Sequence, residues 1–336
     1  MNIREMQEQN ELKTLSEYAT HSVKSKGRKR EVEKCTMRTE FQRDRDRIIH
    51  SKAFRRLMHK TQVFIMPEGD HYRNRLIHTM EVKQIACSIA NALRLNVDLT
   101  EAIALGHDLG HTPFGHSGEH VLNEHCTFGF EHNEQSVRVV DILENDGYGL
   151  NLTYEVIDGI LNHQTDGNPA TLEGKIVQIS DKIAYVNHDI EDAIRAGIIK
   201  EENLPQKHIM LLGKNKSERI HTMIMDIVYN SQDKPDIIIS DEIRTSIYEL
   251  RRFLFENVYI DSRSKTEEKK VQNLISNLFE FYIKDTTEVE EHLKRILEKH
   301  EMTKERMVCD YIAGMTDRYA IKKFKQYFLP MPWEVY

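Results

Sequence analysis

From Arg75 onward, apolar residues return at the three- and four-residue steps of an amphipathic helix. In the first such stretch Ile77, Val82, Ile85, Ile89, Ala90 and Leu93 form the stripe, and His78 rides on the same segment. A second helix is predicted to begin at Asp98, whose carboxylate can cap while Glu101 bonds back. It passes Ala102, Ile103 and Leu105 and stops near Gly110. Further helices are expected over about Glu131 to Asn145, over Thr153 to His163, and from Thr171 past Ile176, Ile179, Ile183 and Ala184. Beyond Pro205 the pattern gives Ile220–Tyr229, Ile243–Phe255, Val271–Tyr282, Val289–Leu297 and Arg306–Ala313. Asp236–Ser240 (DIIIS) is the one short strand candidate. The pattern predicts an all-α fold.

Composition narrows the class. The 336 residues are 39% apolar and 30% charged, enough for a sizeable core under a well-solvated surface, and 7 Pro with 15 Gly excludes disordered or collagen-like architectures. No apolar run approaches the roughly 18 residues of a membrane span. The polar segment Met1–Asn10 lacks a secretory pattern, and Cys35, Cys87, Cys126 and Cys309 form no CxxC pair. A soluble cytoplasmic protein without a membrane partner is expected. The net charge of −7 argues against a surface given over to nucleic acid, yet residues 21–60 carry 14 Lys and Arg against 5 Asp and Glu. Such a block is a solvated face or a contact for a polyanion, nucleic acid included.

Chemistry concentrates in one place. Six of the 17 histidines fall between residues 107 and 132: His107, His111, His116, His120, His125 and His132, with Asp108, Glu119 and Glu131 among them. That density points to a metal or acid–base site. His107 and Asp108 are adjacent, and neighbours on a helix diverge by about 100°, so a shared metal requires the helix to unwind there. Gly106 and Gly110 supply the slack. The remaining ligands must come from other helices, and His78 and Asp181 are the candidates, each on a segment whose apolar face predicts burial. Two imidazoles and two carboxylates suit Mn²⁺, Fe²⁺, Mg²⁺ or Co²⁺ better than a closed structural zinc site.

The order H…HD…D resembles the HD-domain phosphohydrolase superfamily. The longer phrases AFRRLMHKTQVF (53–64), RNRLIHTMEV (73–82), GHDLGHTPFGHSGE (106–119), DKIAYVNHDIEDA (181–193) and DYIAGMTDRYA (310–320) are together similar to its deoxynucleoside triphosphate triphosphohydrolases, the dGTPase-like group. The resemblance implies a helical HD fold, with a basic segment at 1–50 packed on an HD-domain catalytic core at 51–200. A C-terminal helical extension at 201–336 would complete one compact body. It implies hydrolysis of a dNTP to deoxynucleoside and inorganic triphosphate, and a homo-oligomer, hexamer or tetramer. An HD phosphohydrolase acting on nucleoside monophosphates, cyclic nucleotides or single-stranded DNA ends is the alternative.

By the same resemblance His78, His107, Asp108 and Asp181 match the metal ligands, and His116 and Glu119 a catalytic pair, three residues apart and within reach if helical. His111 and His132 match histidines lining the phosphate side. Arg75 and Lys182 match phosphate contacts, with Arg55 and Arg56 as further candidates, and Gln62 matches a contact to the 3′ hydroxyl. Tyr185 matches a residue packing under the sugar where a 2′ hydroxyl would be, with Asp189 on the same stripe. His163 is read as either near the metal or ending a helix, and Met58, Met66 and Met80 as core filler.

Overall fold

The structure, a computed structural model, describes residues 1–62, 72–259 and 262–330, apart from the side chains of 259 and 262–265. Val63, Phe64, Met66 and His71 therefore lie outside the described residues. The described chain is all-helical, without a named β-strand. The N-terminal helices are α1 (Ile3–Thr14), α2 (Glu40–Ile49) and α3 (Lys52–Arg56). Next come α4 (Arg75–Ala92), α5 (Val97–Gly106), α6 (His116–His125), α7 (His132–Arg138), α8 (Tyr154–Leu161) and α9 (Leu172–Arg195). The chain continues with α10 (Gln206–Leu212), α11 (Lys216–Ser231) and α12 (Asp241–Leu254). It closes with α13 (Ser262–Lys284), α14 (Thr287–Leu297), α15 (Lys304–Ala313) and α16 (Asp317–Phe328).

Several expectations are corrected. On α4 the buried face carries Arg75, His78, Val82, Ile85 and Ile89, whereas Ile77 is 46% exposed. The stripe is thus rotated toward the histidine. Asn96, not Asp98, caps α5 through the Leu99 amide, and Asp98 instead accepts from Gln42 and Arg45. Asp236–Ser240 is not a strand. It is an extended lead-in that ends with Ser240 capping α12 through the Ile243 amide, while Ile237 and Ile239 pack on the core. Met58 and Met80, read as filler, are 49% and 43% exposed.

The helices gather around two separate apolar clusters. The first joins α2, α4, α5, α8 and α9 to α10–α12 through residues such as Phe41, Val82, Ile103, Ile160, Ile183, Ile227 and Leu250. The second joins α6 to α13–α16 through Phe114, Leu122, Ile275, Leu278, Val308 and Ile312. Helices α10–α12, sequentially part of the C-terminal stretch, thus belong with the first cluster. No helix among the described residues is long and apolar enough to cross a membrane.

Candidate metal centre and active site

Helix α5 ends at Gly106, and His107 to Gly110 form the turn that follows, the local unwinding an adjacent His-Asp pair demands. Glycine at 110 is a steric necessity: a Cβ there would lie 2.1 Å from the Ser136 backbone nitrogen. The Ser136 hydroxyl locks the turn, accepting from the Gly110 amide at 2.8 Å and donating to the His107 carbonyl at 2.7 Å.

The turn delivers its side chains to those of α4 and α9. His78, His107 and Asp108 place ligand atoms within 4.8 Å of one another, all buried. Asp181 Oδ1 closes the set, 3.0 Å from His78 Nε2 and 3.9 Å from His107 Nε2. His107 Nδ1 donates to the Ala104 carbonyl at 2.7 Å, which fixes the tautomer and leaves Nε2 a bare lone pair, buried without a hydrogen-bond partner. An unsatisfied acceptor beside two carboxylates is costly unless a cation completes it. The donor set therefore fits a divalent ion, which His78, His107 and Asp108 could hold with Asp181 beside them. Burial alone would raise the Asp108 and Asp181 carboxyls, but His107 and Arg75 hold Asp108, and His78 and His107 hold Asp181, below the ordinary carboxylate range. Both are then ionised and ready to ligate.

A second group of side chains adjoins the first. His116 opens α6, and its Nδ1 donates to Glu119 Oε2 at 3.0 Å. The other Glu119 oxygen accepts from His132 Nδ1 at 2.8 Å and from the His132 amide at 2.9 Å. His132 Nε2 reaches His163 Nε2 at 3.2 Å, and His163 Nδ1 donates to the Ile160 carbonyl at 2.7 Å. With its proton on Nδ1, His163 can only accept from His132, so His132 must carry both N–H groups. Burial opposes a charged His132, but the Glu119 bond outweighs it and raises the pKa, while burial and the neighbouring His107 and His132 lower that of His163 to about 3. The His132 ring stacks on His111 at 4.4 Å, and the His163 ring meets His107 edge-on at 5.0 Å. A run of imidazoles therefore leads from the buried ligand set to His116, whose side chain is 81% exposed.

The cationic residues divide. Arg75 Nη1 binds Asp108 Oδ2 at 2.8 Å, and its Nη2 lies 3.2 Å from where a Cβ on Gly115 would stand, close to Gln62. Lys182 and Tyr185 follow Asp181 along α9, and burial pushes the Tyr185 hydroxyl up to about 12. Asp189 continues this helix and is buried. Arg55 and Arg56 are not brought to this centre by any bond among the described residues. Arg55 is exposed and donates to the His50 carbonyl, and Arg56 donates to Gly314 beneath α15. Arg251 of α12, which the sequence reading passed over, stands over the Tyr185 ring at 5.9 Å. Its position in an ordinary amphipathic helix gave no local signal.

The HD-domain family model matches residues 75–186, the span from Arg75 to Val186 that holds the whole ligand set, and a phosphohydrolase-associated domain matches 237–326. A deoxyguanosinetriphosphate triphosphohydrolase-like protein of Caldanaerobacter subterraneus subsp. tengcongensis is 61% identical over 99% of this chain and 98% of its own. The chain belongs to the deoxyguanosinetriphosphate triphosphohydrolase-like family of HD-domain proteins. A second member of this family, from Desulfatibacillum aliphaticivorans, is 49% identical over 99% of each chain. A solved phosphohydrolase from Bacteroides thetaiotaomicron shares the fold, with a TM-score of 0.54 at 16% identity over 90% of this chain and 71% of that one. Membership makes the protein a metal-dependent phosphohydrolase.

Proposed function

We propose that the protein hydrolyses a deoxynucleoside triphosphate to deoxynucleoside and inorganic triphosphate. The observation that carries the reading is the run of imidazoles from the ligand set through His163 and His132, linked by the Glu119 carboxylate to His116. Attack of water at the α-phosphorus breaks the bond to the 5′ oxygen, and that oxygen leaves needing a proton. His116, held at Nδ1 by Glu119 and largely exposed, would supply it from Nε2. A divalent ion, Mn²⁺, Mg²⁺, Fe²⁺ or Co²⁺, would polarise the α-phosphate and lower the pKa of the attacking water. Arg75 and Lys182 would meet the triphosphate with N–H donors and positive charge, His111 would add an N–H, and His132 would add the charge of its imidazolium. Tyr185, in step with Asp181 and Asp189 on α9, would pack under the deoxyribose and leave a 2′ hydroxyl neither room nor a partner. Gln62 would meet the 3′ hydroxyl.

Support comes from the family, whose members carry the triphosphohydrolase-like name, and from the number of cationic and imidazole groups, more than a monophosphate requires. The test incubates purified protein with Mn²⁺ and each dNTP, alone and in mixtures, and resolves the products. Triphosphate with deoxynucleoside is expected. Release of pyrophosphate or single phosphate, or equal rates on ATP and dATP, would move the assignment to the alternative substrates named above. Sedimentation of the same sample reads the expected hexamer or tetramer.

A further inference from the structure

The segment His111–Gly115 carries His111 at one end and leads into His116 at the other, and its backbone is not relaxed. Phe114 has φ +61°, a region non-glycine residues enter only when surrounding bonds hold them there. Gly115 follows at φ 61°, ψ −137°. The Thr112 hydroxyl donates to the Gly115 carbonyl at 2.8 Å, a bond internal to the loop.

The external hold comes from far along the chain. Asp317, 2% exposed, accepts the Phe114 amide on Oδ1 at 2.9 Å. Its Oδ2 accepts the Thr61 amide at 2.8 Å and the Thr61 hydroxyl as well. Beside it, buried Lys60 donates to the Ala313 carbonyl at 3.0 Å and to the His111 carbonyl. Lys60 in turn accepts the Arg75 amide at 3.1 Å, and Thr61 bridges to Asn74. The Asp317 carboxylate, the Lys60 amine and the Lys60 backbone carbonyl thus join the segments that carry Gln62, Arg75, His111 and His116.

Asp317 also stands at the first position of α16, where a carboxylate commonly serves the helix itself. Here Thr316 already caps α16 by accepting the Tyr319 amide, and the bonds of Asp317 go to Thr61 and Phe114 instead. We propose that Asp317 is a positioning residue for the reaction: from the C-terminal helices it fixes the backbone between His111 and His116, and so the reach of His116, without touching substrate. Its catalytic consequence rests on the dNTP reading above, whereas its hold on Phe114 does not.

The test uses the full chain with three variants, Asp317→Ala, Asp317→Asn and Thr316→Ala. Measured are metal content, melting temperature, amide hydrogen exchange of residues 111–116, and kcat and KM for each dNTP. For Asp317→Ala the expectation is full metal occupancy, faster exchange at Phe114, and kcat lowered about 100-fold while KM changes far less. Asp317→Asn, which keeps an acceptor oxygen, should recover part of both the protection and the rate. Thr316→Ala should lower the melting temperature but leave kcat unchanged. Wild-type exchange at Phe114 together with wild-type kcat in Asp317→Ala overturns the proposal. So does a kcat loss that tracks metal loss or melting temperature across all three variants. If the unaltered protein releases no triphosphate, the functional reading fails on that ground, and exchange at Phe114 still decides whether Asp317 holds the loop.

Discussion

The ligand set and the His116 group differ in what holds them. His78 and Asp181 hang from α4 and α9, and His107 and Asp108 from the turn that ends α5; the three helices share the first apolar cluster and pack directly on one another. His116 and Glu119 hang from α6, whose Val121 and Leu122 are buried in the second cluster against α13. In the first set His78, His107 and Asp108 are buried and Asp181 is half-buried; the second opens to solvent at His116. A site divided in this way would keep its cation when His116, the proposed proton donor, is disturbed, and each half should fail separately.

The largest effect should come from the first cluster's side. Asp181→Ala removes the carboxylate shared by His78 and His107, and is expected to lose both metal and turnover, read by elemental analysis beside a triphosphate-release assay. Chelation of the unaltered protein should reproduce that loss, with activity restored by added Mn²⁺. His116→Ala comes next: full metal occupancy with turnover lowered about 10²- to 10⁴-fold, the usual worth of a positioned acid. Metal loss in this variant would erase the distinction between the halves. Tyr185→Ala should narrow the preference for dATP over ATP by about tenfold or more, measured as the ratio of kcat/KM values. The smallest effect on turnover is expected from Leu278→Ala, which opens a cavity in the second cluster. It should cost about 2–5 kcal/mol of stability, read by denaturant unfolding. Metal content should stay unchanged, and turnover should fall less than in His116→Ala.

Legibility in the sequence followed the range of the forces involved. The unwinding at His107–Asp108 could be read because adjacent ligands on one helix cannot converge, and the glycines stood in place. The His116–Glu119 bond followed from helical spacing. Periodicity misled on α4 at Ile77, which lies on the open side of the helix, whereas the burial it predicts for His78 is found, with Arg75 beside it on the same face. Helix α1 escaped because its buried positions are Arg4 and Glu8, which satisfy each other at 2.6 Å and look like surface residues in the sequence. Arg251 and Asp317 were invisible for a different reason: each acts on residues dozens to hundreds of positions away, and neither disturbs its own helix. Arg55 and Arg56 belong to a basic block, but local charge density does not reveal which carbonyls a guanidinium will reach.

The doubly donating His132 has a consequence for how a polyanion would be met. Its hydrogen bonds to Glu119 and His163 keep an imidazolium in the protein's interior at a fixed spot, its desolvation already compensated by the neighbouring carboxylate. A triphosphate drawn there would not have to recruit a mobile lysine from the surface. That attraction, lying largely out of reach of dissolved ions, would fade far less with rising salt than one supplied by the basic block at the chain's beginning.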